Sequence, residues 1–269
     1  MIHIVERPDY SIAYTWHAQT SSRPLVMLHG LGDSSIHTMS HILDFEPLQG
    51  VSALLIDAPG FGLSTATENY PATIDAHADA IVGLLDDLGV RGSYTFGHSM
   101  GANIAIEIAR SRPDIVARLT LAEPLLHPNH SVLATQIARF TEESYVARGH
   151  AMMMRATSMQ ASRGDVAAIA FLPVLELADP RVMYRSAVSL LTPREPSFLE
   201  ALTGLPQPTT LMVGEHSGAR RLADLPPSVP HAVIANAGHS MHIEQPNATA
   251  YAILETDGHL DLPPIFHSL

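Results

Sequence analysis

The chain has 269 residues, a formal net charge of −12 and fifteen basic residues, all of them arginine. An acidic chain with no lysine and no basic run offers little to a nucleic-acid backbone. It has no cysteine, so disulfides, thiolate metal sites and cysteine nucleophiles are excluded.

A hydrophobic fraction of 46% over this length suits one α/β domain with an insertion. The opening run Met1–Tyr10 has neither the basic start nor the apolar core of a signal peptide. No apolar run reaches the length of a membrane span. The expectation is a cytoplasmic protein that binds neither membrane nor nucleic acid. The sixteen histidines are scattered without the spacing of a metal site, so no metal is expected.

In chain order, residues 2–6 and 11–17 read as strands around a Pro8-Asp9 turn. Leu25–Leu28 is a buried strand leaving through His29-Gly30-Leu31-Gly32. Residues 34–48 read as an irregular helix. Val51–Asp57 is a second buried strand, closed by the turn-rich loop Ala58–Ser64. An amphipathic helix is predicted from Pro71 to Leu88, with Ile74, Ala78, Ile81, Leu85 and Leu88 on one stripe and Asp75, Asp79 and Asp86 off it. A strand then leads to Gly97-His98-Ser99-Met100-Gly101 and a helix to Ala109. Residues 115–122 read as the next strand, ending at Glu123-Pro124. Residues 125–205 change character: they are helical in pattern and rich in methionine (Met152, Met153, Met154, Met159). Such methionines serve packing more often than substrate contact. Strands return at 209–213 and 232–235, a last helix runs from His239 to about Leu254, and the tail from Asp257 is expected to be irregular.

Strands alternating with helices imply a mainly parallel twisted sheet with right-handed crossovers and helices on both faces. Active residues of such sheets lie at the carboxyl ends of strands. His29, Asp57, Ser99, Glu123, Gly214 and His239 all follow predicted strands, which gathers them at one edge. The Gly-x-Ser-x-Gly pentapeptide at a strand-to-helix junction fits a serine lifted out of the sheet, its glycines letting strand and helix approach. A plain connection would carry such a pattern too, so the partners matter.

Four motifs, His29-Gly30, Asp57-Ala-Pro-Gly60-Phe-Gly62-Leu-Ser64, Gly97-His-Ser-Met-Gly101 and Gly238-His239 with Glu244-Gln-Pro246, make the chain resemble α/β-hydrolase fold proteins over nearly its whole length. The resemblance implies residues 1–124 and 206–269 as the core domain and 125–205 as the inserted cap or lid. It implies Ser99 as nucleophile, His239 as general base and then acid, and the backbone N–H groups of Leu31 and Met100 as the oxyanion hole. Physically, a serine hydroxyl needs an imidazole to take its proton, and each aimed oxyanion donor contributes about 2.7–4 kcal/mol.

The remaining residues have plainer readings. His29 shapes its turn, His98 lines the elbow, and Asp57 holds its loop by hydrogen bonds. Glu244 favours the first turn of the last helix. His242, one helical turn after His239, is an alternative base.

The family's usual acid after the seventh strand is missing. The segment reads Gly214-Glu215-His216-Ser217, and a serine cannot balance an imidazolium. Glu123, Glu215 and Asp224 remain as carboxylates. Glu123 is favoured, because some branches of the fold, including certain haloalkane dehalogenases and the zearalenone-opening lactonase, place the acid after the sixth strand. Serine rather than aspartate at the elbow favours acyl transfer. The resulting expectation is a cofactor-free serine hydrolase of a partly apolar, small-molecule ester or lactone. Carbon–carbon hydrolysis of a diketone, perhydrolysis, lyase chemistry and a ligand-binding receptor stay open.

Overall fold

Eight strands form a single sheet in the order β1-β2-β4-β3-β5-β6-β7-β8. The computed structural model describes residues 1–19, 21, 23–217 and 223–255. The strands are β1 Ile2–Glu6, β2 Ser11–His17, β3 Leu25–Leu28, β4 Ala53–Ile56, β5 Ser93–His98, β6 Val116–Ala122, β7 Thr209–Gly214 and β8 His231–Ile234. Only β2 runs against its neighbours; β4, β3, β5, β6, β7 and β8 pair in parallel.

Side chains of successive strand residues point to opposite faces. Val26 and Leu28 of β3 therefore join one core cluster, and Leu25 and Met27 the other. Both faces are covered, which is why these strands read as unbroken apolar runs. The first face is packed by α2 (Ile74–Asp87) and α3 (Met100–Ser111), the second by residues 39–48 and the C-terminal helix Pro246–Glu255.

Element boundaries follow local chemistry. Residues 34–48 hold one short helix, α1 (Ser35–Thr38), and two 3₁₀ turns, the irregularity expected there. Helix α2 begins three residues later than predicted: Ala72 sits at φ 53°, and the Thr73 side chain accepts the Ala76 N–H as N-cap. Its buried stripe contains Ile74, Ala78, Ile81 and Leu85, and Asp75, Asp79 and Asp86 are exposed. The last helix is split. Met241–Glu244 ends at Gln245, because Pro246 lacks an N–H and restricts the residue before it, then starts the next helix. The tail from Asp257 lies outside the described residues.

Between β6 and β7 the chain is helical throughout: α4 Val132–Ile137, α5 Glu142–Ser144, a π turn Tyr145–Gly149, α6 His150–Ala161, α7 Val166–Leu177, α8 Pro180–Leu191 and α9 Phe198–Thr203. Ser131, Thr141, Asp165, Asp179 and Ser197 cap helices of this segment with side-chain oxygens. Helix α8 is tied down firmly. Its Arg185 donates to Glu142 and to the carbonyls of Glu68 and Tyr70, and Ser186 donates to the Ala72 carbonyl. Helices α6 and α7 pack on each other and leave Met152, Met159, Val166 and Ile169 about half exposed. Met153 and Met154 pack against the core, so the methionines divide between the two environments.

Candidate active site

Ser99 occupies the turn from β5 into α3 at φ 52° and ψ −118°. This region costs a non-glycine residue on the order of 1–3 kcal/mol and survives only where its surroundings enforce it. Here the Ser99 N–H donates to the Ala122 carbonyl at 2.8 Å, and the Ser99 carbonyl accepts the Ala102 N–H at 2.9 Å. A Cβ on Gly97 would lie 2.6 Å from the Gly101 carbonyl oxygen, and one on Gly101 would lie 2.2 Å from that of Leu28. Both glycines are thus required by close backbone approach.

One strand over, Glu123 follows β6 in the same kind of conformation, at φ 54°, and its N–H donates to the Met212 carbonyl at 2.9 Å. Its side chain is fully buried. Oε1 accepts the Gly214 N–H at 2.8 Å and the Ser217 hydroxyl at 2.6 Å. Oε2 stands 3.6 Å from His239 Nδ1, beyond hydrogen-bond length but within the looser range of uncomplexed sites. A Cβ on Gly214 would lie 2.2 Å from the Gly238 carbonyl oxygen, so the end of β7 presses directly on the His239 loop.

That loop is held on both sides of His239. The Gly238 and Ser240 N–H groups donate to the two oxygens of Glu244. The His239 carbonyl accepts from His98 Nε2 at 2.7 Å. The side chain of His239 remains 47% exposed and shares with Ser99, Leu31 and Ser217 a cavity of about 650 Å³. Met100 is the first residue of α3, so its N–H has no acceptor within the helix.

The other candidate residues take other places. His29 donates from Nδ1 to the Gly30 carbonyl at 2.7 Å and accepts the Ala58 N–H at Nε2, 3.0 Å away. Both its nitrogens are engaged in shaping the turn. Asp57 accepts from the Ser34 hydroxyl and from the Ile36 and Leu63 N–H groups, which fastens its loop to α1. His242 is buried against His98, with ring centroids 4.6 Å apart, and its Nε2 is 3.7 Å from Asp33 Oδ2. Burial opposes the charge on Asp33, yet the nearby His242 and His29 and the Ser34 N–H hold its carboxyl below the usual range. Asp33, His98 and His242 bring potential ligand atoms within 4.8 Å of one another, the one such group among the described residues. Glu215 accepts the Asn236 N–H at 2.8 Å on the surface, and Asp224 pairs with His130 Nε2 at 2.9 Å.

Glu123 is therefore the carboxylate that the structure brings to His239, and Glu215 and Asp224 face other partners. Sequence reasoning passed over Ser217 as a missing acid. Its signal is positional: a hydroxyl follows β7 where the family resemblance leads one to expect aspartate, and that hydroxyl reaches Glu123. Glu244 was read only as a helix-dipole residue, and its hold on the His239 loop depends on the break at Gln245. Among the described residues, no helix is long and apolar enough to cross a membrane.

Known proteins give this geometry a context. A 2-hydroxy-6-oxononadienedioate/2-hydroxy-6-oxononatrienedioate hydrolase of Pseudomonas putida is 35% identical over 99 residues, 36% of this chain and 35% of that protein. The chain thus spans about a third of the length of this relative and its counterparts. The mouse sn-1-specific diacylglycerol lipase is 24% identical over 82% of this chain and 76% of its own. Among solved structures, the N-acyl homoserine lactonase AidH with N-hexanoyl homoserine superposes at TM-score 0.77, with 20% identity over 100% of this chain and 99% of that one. An esterase of Thermogutta terrifontis gives 0.75, with 24% identity over 94% and 96%. At such identities the structures establish the fold alone. The profile of the alpha/beta hydrolase family matches residues 25–252, and the chain belongs to that family.

Proposed function

We propose that the chain is a serine hydrolase of an uncharged carboxylic ester or lactone, with residues 125–205 as the lid over its site. The observation that carries this reading is Glu123: fully buried, fixed through Oε1 by Gly214 and Ser217, with Oε2 turned toward His239 Nδ1. A carboxylate so placed orients the imidazole and stabilises its protonated form. His239 takes the Ser99 proton as Oγ attacks the carbonyl carbon. The developing oxyanion is met by the Leu31 and Met100 N–H groups. His239 returns the proton to the departing alcohol, and a water activated by the same histidine then releases the acid.

The lining of the cavity favours an uncharged substrate. Among the described residues it contains no arginine and includes Leu31, Leu125, Val132, Leu133, Phe171 and Leu190. A dianionic dienedioate would find no guanidinium among those described residues to pair with. Carbon–carbon hydrolysis is the second reading, favoured by the local identity to the dienedioate hydrolases.

Hydrolysis of p-nitrophenyl butyrate, a γ-lactone and a vinylogous diketone by wild type, Ser99→Ala, Glu123→Gln and Glu215→Gln tests the proposal. Ester or lactone turnover is expected to vanish in Ser99→Ala and to fall by about 10⁴-fold in kcat in Glu123→Gln, as for loss of a triad acid. Glu215→Gln is expected to stay within about twofold of wild type. Turnover of the diketone alone would overturn the ester reading.

A further inference from the structure

The cavity at Ser99 borders the helical segment. A second chamber of about 430 Å³ opens between α4, the π turn, α6 and α7. Leu133, Gln136, Gln160, Phe171 and Ser240 line both spaces. Ser240 is the neighbour of His239, so the shared waist lies beside the reacting centre.

The chamber has the walls of an apolar sleeve. Ile137, Phe140, Met152, Met153 and Ala168 line it, and the carboxylate of Asp165, also in its lining, accepts the Ala168 N–H as the cap of α7. The π turn helps to shape it. Tyr145 is fully buried, and a Cβ on Gly149 would lie 2.6 Å from the Tyr145 ring, so the wide turn seats this ring directly on backbone. Single π turns inside α-helices are frequent at functional sites. Methionine side chains have three rotatable bonds and a polarisable sulfur, and they adapt to chains of varying shape.

We propose that this chamber receives the unbranched hydrocarbon tail of the acyl group while its carbonyl sits at Ser99. The inference rests on the proposed ester hydrolysis and adds the substrate class: linear acyl esters of medium length. The lining shared with the Ser99 cavity makes the tail of the reacting molecule the occupant, because one ligand placed across the waist touches both spaces. The one charged side chain among the described lining residues is Asp165, engaged as the cap of α7, and none is arginine, so an anionic tail end would be buried without a partner.

The test is a p-nitrophenyl ester series from acetate to dodecanoate, with wild type, Ala156→Trp and Met159→Trp. Ala156 is an exposed residue of α6 in the chamber lining, and Met159 lies on the same helix outside both spaces. For wild type, kcat/KM is expected to rise with chain length, by up to about fourfold per buried methylene. The decanoate-to-acetate ratio of kcat/KM is expected to fall at least about tenfold in Ala156→Trp and to persist in Met159→Trp. A flat wild-type series, or a ratio unchanged by Ala156→Trp, overturns the tail subsite. Should no ester be turned over in a Ser99-dependent way, the hydrolase reading fails. The chamber is then judged by binding of dansyl-undecanoic acid to Ser99→Ala: loss of binding with Ala156→Trp added supports it, and unchanged binding overturns it.

Discussion

Ser217 follows β7 and donates its hydroxyl to the Glu123 carboxylate. The hydroxyl satisfies Oε1 of a buried carboxylate, and a hydrogen bond to a charged group contributes about 1.5–3 kcal/mol. Ser217→Ala is therefore expected to lower kcat by about tenfold or more while KM changes little. Steady-state kinetics on the preferred ester check this. Unchanged kcat would mean that Glu123 is held in place without Ser217. The motif was legible in the sequence, because a pentapeptide in a strand-to-helix setting names its own geometry. The partner was not. Residue 217 and residue 123 lie 94 positions apart, and no local pattern links a hydroxyl to a carboxylate across two strands.

At the scale of elements, the short turn Met241–Glu244 acts as a clamp. Its last residue folds back onto the N–H groups of Gly238 and Ser240, so one carboxylate fixes the His239 backbone together with the His98 imidazole. Glu244→Ala is expected to lower kcat by at least about tenfold, with Tm shifted only a few degrees; Glu244→Gln, which keeps an acceptor, is expected to recover part of the loss. Kinetics and thermal melts of both variants decide it: equal losses in Ala and Gln would assign the effect to charge instead of position. Apolar periodicity disclosed the sheet, α2 and α3, because each buries a continuous stripe or face. It missed the break at Gln245, which looks like continued helix until Pro246 is recognised as the first residue of a new one. It also placed the start of α2 at Pro71, since nothing in the pattern marks Ala72 as left-handed.

Across the whole molecule, His77 couples the helical segment to the sheet domain. Tyr70 donates its hydroxyl to His77 Nδ1, His77 Nε2 donates to the Ser186 hydroxyl, and Ser186 passes its own proton to the Ala72 carbonyl. The neutral imidazole satisfies every link, and protonation would leave the Tyr70 hydroxyl without its acceptor. Burial first, and then the proximity of His29, push the His77 pKa down to about 3. Unfolded histidine titrates near 6.5, so below that pH the unfolded chain binds a proton that the folded chain refuses. The contribution is complete above about pH 6.5 and is lost as pH falls toward 3, at up to about 1.4 kcal/mol per pH unit. Urea unfolding at pH 7, 6, 5 and 4 is expected to show this slope in wild type and a slope shallower by about one proton in His77→Gln. Identical slopes would remove His77 from the acid response.

The sheet order carries a consequence for which strand end can hold the charge. Ser99 and Glu123 follow β5 and β6, which are immediate neighbours in the sheet. In this chain the end of β7 supplies Glu123 with one amide and one hydroxyl. A hydroxyl that only donates to Glu123 is an easier requirement to meet than a carboxylate of fixed reach toward His239. Ser217→Asp would set a second carboxylate against Glu123 Oε1, which the hydroxyl now satisfies, and like charges at that range favour protonation of one of them.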